Sequence, residues 1–279
     1  MEHGSNQPRE GSSMFGLAHI ESVFQATRAD GRAALMPYLT LGYPQRSLEV
    51  IEAAVRGGAD MLELGMPFSD PLADGPTIQR STQAALQNGM TIAGCIADVA
   101  ELRSRGVTLP VFLMGYCNPL LNYGLERFVK DASRAGVDGF IIPDLPLEEA
   151  AELAVYCRLY ERALVYLVSP NTPEERLKCL AQETGGFLYM VSVTGVTGAR
   201  QSLADNLGEF AARVRRLTAK PLAVGFGIAT PQQAAVVGKL ADGVIVGSAI
   251  IQVIDAHPGD PERAVEEFVS DLARAVGVG

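Results

Sequence analysis

At 279 residues, 48% of them hydrophobic, the chain can bury a large core and suits two small domains or one α/β barrel. Its net charge of −9 argues against a nucleic-acid partner, because phosphate backbones are met by clustered Lys and Arg, and no apolar run approaches the ~18 residues of a membrane span. The four cysteines, Cys95, Cys117, Cys157 and Cys179, form no CxxC pair and read as reduced, mostly buried thiols of a cytoplasmic protein rather than as zinc ligands or disulfides.

Residues 1–14 lack the apolar core of a signal peptide and read as a disordered tail, with Met14 an alternative start; 15–279 reads as one domain. Ile20–Ala26 has helical apolar spacing and is expected to plug the floor of a barrel. Short Val/Ile/Leu-rich runs then alternate with amphipathic segments. The expected strands are Ala34–Thr40, Asp60–Gly65, Pro110–Gly115, Asp138–Ile142, Ala163–Val168, Phe187–Val191, Pro221–Gly225 and Gly243–Gly247. Between them fall helices at Leu48–Arg56, Ile92–Arg103, Leu125–Ala135, Leu147–Tyr160, Pro173–Gln182, Ala204–Leu217, Pro231–Val237 and Pro261–Ala275, with an extra helix near Thr77–Gln87 after strand 2. Strands apolar on both faces, each followed by a helix, are what a helix-covered parallel sheet requires. Three related tripeptides, Gly58-Ala59-Asp60, Gly136-Val137-Asp138 and Leu240-Ala241-Asp242, each end a helix and open a strand, numbers 2, 4 and 8. Eight such units without a break in composition predict a (β/α)₈ TIM barrel.

In such barrels the chemistry sits at the carboxyl ends of the strands. The four lysines fall elsewhere: Lys130 and Lys178 on outer helices, Lys220 and Lys239 ahead of strands 7 and 8. With His3 in the tail, His19 in the first helix and His257 near the C-terminus, neither a Schiff-base lysine nor a histidine metal site has material to work with. What remains at that rim is acidic and polar. Glu63 lies inside an apolar strand, where a carboxylate is costly unless it is paired or protonated, and is the leading acid–base candidate. Asp74 precedes Gly75-Pro76, a helix-start pattern, so it is equally an N-cap or a second acid. Asp70 and Asp144 neighbour prolines in turn-like contexts and read as structural. Gly225-Phe226-Gly227-Ile228 after strand 7 and Gly247-Ser248-Ala249 after strand 8 suit a phosphate held by backbone N–H groups. The run Thr194-Gly195-Val196-Thr197-Gly198-Ala199-Arg200 after strand 6 suits either a lid or a plain flexible loop.

The run Leu62-Glu63-Leu64-Gly65-Met66-Pro67-Phe68-Ser69-Asp70-Pro71-Leu72-Ala73-Asp74-Gly75 resembles the signature of the tryptophan synthase alpha subunit family. So do Pro37-Tyr38-Leu39-Thr40, Pro143-Asp144-Leu145-Pro146, Gly195-Val196-Thr197-Gly198 and Gly225-Phe226-Gly227-Ile228, and the resemblance runs from about His19 to the C-terminus.

The resemblance implies a lyase that splits indole-3-glycerol phosphate into indole and glyceraldehyde 3-phosphate. On matching positions it makes Glu63 the acid–base group that protonates indole C3 and serves the glycerol hydroxyl. Asp74 becomes the carboxylate that steadies positive charge on the indole nitrogen. Tyr189 would support the pair, Ile78 and Phe226 would flank the indole, and Thr197 would reach Asp74 from the lid. Gly198, Gly227, Gly247 and Ser248 would hold the phosphate. Because the protonated ring is itself the electron sink, no metal or cofactor is implied for this chain. Pyridoxal phosphate is expected only in a beta-subunit partner that receives the indole in an alpha-beta-beta-alpha complex, facing the Pro67–Asp74 loop and the region near Asn118-Pro119. A stand-alone indole-releasing lyase and a mainly regulatory ligand-binding barrel are the alternatives. Glu63 is expected to have a raised pKa and Asp74 to stay ionised.

Overall fold

Every residue of β1 (Ala34–Thr40), β2 (Leu62–Gly65), β3 (Val111–Met114), β4 (Gly139–Ile141), β7 (Leu222–Gly225) and β8 (Gly243–Val246) is buried. Only Leu167 of β5 (Ala163–Val168) and Val191 of β6 (Leu188–Val191) are partly exposed. Such strands need cover on both faces, and they receive it. In the computed structural model, which describes residues 14–191, 200–225 and 227–277, each strand pairs in parallel with the next and β8 pairs back with β1, Ala34 opposite Gly243. The expected closed (β/α)₈ barrel is the observed one. Residues 1–13 of the expected tail lie outside the described residues.

Among the described residues the helices are α1 (Leu17–Ala29), α2 (Ser47–Arg56), α3 (Pro76–Gln87), α4 (Ile92–Ser104), α5 (Cys117–Tyr123), α6 (Leu125–Arg134), α7 (Ala151–Leu159), α8 (Glu174–Glu183), α9 (Arg200–Arg215), α10 (Pro231–Gly238), α11 (Ser248–Ala256) and α12 (Pro261–Val276). None of them is long and apolar enough to cross a membrane. The helix expected from Leu147 begins only at Ala151, since Glu149 N–H bonds Pro146 O and Ala150 N–H bonds Leu147 O, forming turns before regular helix sets in. Cys117–Tyr123, to which the sequence reading assigns no element, is a short helix. Cys95 and Cys157 are buried and Cys117 is partly so, but Cys179 is exposed, because α8 buries Leu177, Leu180 and Ala181 and Cys179 falls outside that stripe.

The floor is closed by α1, as its spacing predicts. Ile20 and Phe24 are buried, and the Phe24 ring stands edge-on to Phe187, which in turn meets Phe112. The helix is tied down at its start, where Gly16 N–H and His19 Nδ1 lie 2.7 and 2.8 Å from Asp138 Oδ1.

Asp138 belongs to the repeated tripeptides, whose purpose here is structural. Asp60 accepts the Leu35 N–H of β1 at 2.8 Å and a two-pronged bond from Arg32. Asp138 accepts the Val111 N–H of β3 at 2.8 Å and Arg103 at 2.8 Å. Asp242 accepts the Leu222 N–H of β7 at 2.8 Å, together with Arg215 and Arg28. Each carboxylate thus pins the first residue or two of the preceding strand with a charge-assisted bond. Ahead of β6 no such tripeptide occurs, and Thr184 Oγ1 takes the Tyr166 N–H at 3.1 Å instead. These clamps hold the amino-terminal rim and leave the carboxyl rim to the site.

Candidate active site

Period-two alternation places Tyr38, Glu63 and Tyr189 on the inward faces of β1, β2 and β6. Tyr38 pairs in register with Glu63, and Glu63 with Phe112. The two phenols fit because small residues stand beside them. A Cβ on Gly65 would collide with the Tyr38 hydroxyl, and one on Gly225 with the Tyr189 hydroxyl. Glycine at the ends of β2 and β7 therefore makes room for tyrosine on β1 and β6.

Glu63 is 1% exposed, and neither of its carboxyl oxygens has a hydrogen-bond partner among the described residues. Burial, then the charge of Asp74, pushes its pKa up to about 8. This is the raised value expected of a strand-borne acid in an apolar mouth.

Asp74 lies in the loop between β2 and α3. Gly75 and not Asp74 occupies the N-cap position of α3, with Pro76 first in the helix, so the helix-cap alternative has no support in this geometry. The loop is folded inward: Ala73 N–H donates to the Tyr116 hydroxyl at 3.0 Å, and that hydroxyl also bonds Asp74. Burial lifts Asp74 to about 6, with Tyr116 pulling the other way. Asp74 thus lies above the ordinary carboxylate range yet below Glu63, and near neutral pH the pair divides into one acid and one carboxylate.

Glu63 and Asp74 face a cavity of about 300 Å³, at the small end of ligand sites. Ile78, Tyr189, Gly227, Gly247 and Ser248 line the same cavity. Seven of the residues singled out from the sequence are therefore brought together. Thr197, Gly198 and Phe226, and the whole lid candidate up to residue 199, lie outside the described residues. Tyr38, Met114, Ile228, Ile245 and Gln252 also line the cavity but were not assigned to it from sequence. Tyr38 had a usable signal, since it stands two residues before the end of a strand, inside one of the quoted motifs.

In the same cavity as the acids, Gly247 caps α11, and the helix begins with Ser248 and Ala249 at the cavity wall. The first N–H groups of a helix have no partner within it and favour an anion. Gly227, at φ +79°, turns the backbone beside them. The cavity thus combines two acids, apolar lining from Ile78, Met114, Ile228 and Ile245, and a helix start suited to phosphate. The described lysines lie away from it, Lys220 with its Nζ on the Gln182 carbonyl at 3.0 Å. Asp144 accepts the Cys117 N–H at 2.9 Å at the start of α5, and Asp70 bonds its neighbour Ser69, as their turn contexts suggest.

Comparison with known proteins agrees with this geometry. A family model described as tryptophan synthase alpha chain matches residues 24–276. A tryptophan synthase alpha chain from Chloroflexus aurantiacus is 52% identical over 93% of this chain and 99% of its own. A tryptophan synthase from Saccharomyces cerevisiae is 44% identical over 91% of this chain, which corresponds to 36% of that longer protein. Among solved structures, Mycobacterium tuberculosis tryptophan synthase superposes with a TM-score of 0.85 at 37% identity, covering 93% of this chain and 98% of the other. The Legionella pneumophila alpha subunit gives the same TM-score at 36% identity, over 92% and 98%.

Proposed function

The chain belongs to the tryptophan synthase alpha chain family, which cleaves indole-3-glycerol phosphate in tryptophan biosynthesis, and on that premise we propose that Glu63 and Asp74 are its acid–base pair. The observation that carries this reading is Glu63 itself: a buried, unpaired acid with a raised pKa, at a cavity shared with a second acid and a helix start.

Protonated Glu63 gives its proton to indole C3, and the ring becomes a cation with its charge centred on nitrogen. The Asp74 carboxylate faces that charge. The bond from C3 to the glycerol carbon then breaks, and its electron pair restores the aromatic ring. The hydroxyl on the departing carbon loses its proton to Glu63 as the aldehyde forms. Glu63 ends as it began, so the cycle balances without a metal, a lysine or a cofactor in this chain.

Tyr189 supports Glu63 from β6, and Ile78 packs on the indole. Gly227, Gly247 and Ser248 hold the phosphate by their backbone. From the family resemblance, Phe226 completes the indole wall, Gly198 the phosphate site, and Thr197 bonds Asp74. Residues 15–279 act as one catalytic unit in the cytoplasm. A pyridoxal-phosphate beta subunit takes the indole. Leu72, 90% exposed, and Leu121, 55% exposed, lie on the loop after β2 and on α5; apolar side chains left in solvent there support a partner at that face.

The test is indole release from indole-3-glycerol phosphate by the chain alone and with a beta subunit. Glu63→Gln and Asp74→Asn are each expected to lower turnover by at least ~10²-fold, the scale of a lost acid–base group. A variant that kept near-wild-type turnover would remove its residue from the mechanism. Strong activation by the beta subunit supports the complex, and none supports a stand-alone lyase.

A further inference from the structure

Ser248, Gln252 and Asp255 stand at i, i+4 and i+7 of α11, so they share one face of that helix. Ser248 and Gln252 line the cavity that holds Glu63 and Asp74. Asp255, about one turn further on, carries two bonds to neighbouring elements. Its Oδ1 accepts the Tyr43 hydroxyl, from the loop after β1, and its Oδ2 accepts the Arg80 guanidinium, from the second turn of α3. The β1 loop, α3 and α11 thus meet on one carboxylate at the rim of the site.

The acid at 255 is not a local helix device. A carboxylate in the last turn opposes the helix dipole. Ile250, Ile251 and Ile254 bury an adjoining face of α11, but apolar burial is non-directional and sets no single rotation of the helix about its axis. Among the described residues, the hydrogen bonds that α11 side chains make to other elements all end on Asp255. By contrast, α3 is bound to the end of β1 at two further points. Ser81 Oγ lies 2.8 Å from Thr40 Oγ1, and Asn88 Nδ2 at the helix end donates to the Gly42 carbonyl at 3.0 Å. In this joint α3 is the fixed side and α11 the side that needs fixing.

We propose that Asp255 is a positioning residue: held by Arg80 and Tyr43, it sets the rotation of α11 and so aims the Ser248 helix start and the Gln252 side chain at the phosphate of the substrate. This role rests on the phosphate reading of Gly247 and Ser248 above, and adds to it a residue that acts through α11. With Arg80 57% exposed, the ion pair contributes little to stability. Its effect is on direction, which distinguishes it from an ordinary surface salt bridge.

The experiment measures inorganic phosphate and indole separately as inhibitors of indole-3-glycerol phosphate cleavage, followed by glyceraldehyde 3-phosphate release. It uses the wild-type chain, Asp255→Ala, Asp255→Asn, Arg80→Ala and the Asp255→Ala/Arg80→Ala double variant. Asp255→Ala is expected to raise the inhibition constant of phosphate and the KM of the substrate at least ~5-fold, with kcat and the inhibition constant of indole within about twofold. Its urea midpoint should stay close to that of the wild type. Asp255→Asn keeps an acceptor for Tyr43 but loses the charge facing Arg80, and shifts phosphate in the same direction by less. Arg80→Ala also raises the phosphate constant, and the double variant raises it no further than Asp255→Ala. Constants for phosphate and indole that rise together mean a general loosening of the cavity and overturn the positioning role. An unmoved phosphate constant in Asp255→Ala overturns it too, and leaves the phosphate site and the acid pair standing. So do shifts that add in the double variant, because Asp255 and Arg80 would then act separately. If phosphate does not compete with substrate in the wild-type chain, the phosphate reading of Gly247 and Ser248 fails and Asp255 goes with it.

Discussion

The Tyr189 hydroxyl lies over Gly225 of the neighbouring strand, in the space that a Cβ on Gly225 would fill. Gly225→Ala is expected to destabilise the fold by ~1–3 kcal/mol, the usual cost of overpacking a core, and to reduce turnover by displacing the phenol beside Glu63. Tyr189→Phe in the same chain removes the atom in the way. Urea unfolding of the single and double variants should show at least half the stability restored. A double variant as unstable as Gly225→Ala alone would place the strain elsewhere.

Lyase activity is expected to follow a bell in pH. Asp74 must be ionised and Glu63 protonated, and the first is pushed up to about 6 and the second to about 8. Activity should therefore fall below about pH 6 and again above about pH 8. The two limbs belong to the interacting pair and not to single residues. In Asp74→Asn the alkaline limb should move down, because the charge that helps to raise Glu63 is gone. A profile flat from pH 5 to 9 is inconsistent with this division of roles.

Glu63 should also reduce stability as pH rises. Its pKa goes from 4.5 to about 8 on folding, so between those values the folded chain holds a proton that the unfolded chain has released. The stability contributed by that proton is complete below pH 4.5 and is lost as pH rises through about 8. Glu63→Gln has no such dependence. Its unfolding midpoint, measured by calorimetry, should gain on that of the wild type from pH 5 to pH 8, by at least ~3 °C.

Asp138→Ala leaves Arg103 without its carboxylate partner and Gly16, His19 and Val111 without their acceptor. Removing one member of such a buried set costs about 3–5 kcal/mol. The damage is at the rim opposite the site, so KM for the substrate should change less than about twofold while the chain remains folded. Chemical denaturation and steady-state kinetics on one preparation give both numbers.

The barrel was legible because its strands are apolar on both faces and its helices are not, a contrast that survives without any contact information. Glu63 was legible for the same reason in reverse, being a charge where the pattern calls for an apolar residue. Asp74 was not. Its local context fits a helix cap equally well, and the cap reading is removed only by the fold of the loop, which puts Gly75 at the cap and Ala73 against Tyr116. Tyr38 was hidden because an aromatic residue on a buried strand is ordinary, and nothing in its local sequence says that it lines a cavity. Helix α5 escaped because seven residues with a proline inside them carry too little periodicity to register. Helix α7 starts four residues after the expected Leu147 because the chain makes two reverse turns before it winds.

The acid clamps are unevenly distributed, and this sets where the barrel gives way. β1, β3 and β7 are each fastened to the following strand by a buried or half-buried aspartate, while the β5–β6 pair relies on the neutral hydroxyl of Thr184. Of these four pairs β5–β6 has the weakest side-chain tie, so amide exchange under native conditions should reach it before β1–β2, β3–β4 and β7–β8. β6 also carries Tyr189, the phenol beside Glu63. The barrel therefore combines a firm frame around β1 and β2, which carry Tyr38 and Glu63, with a more yielding wall across the cavity.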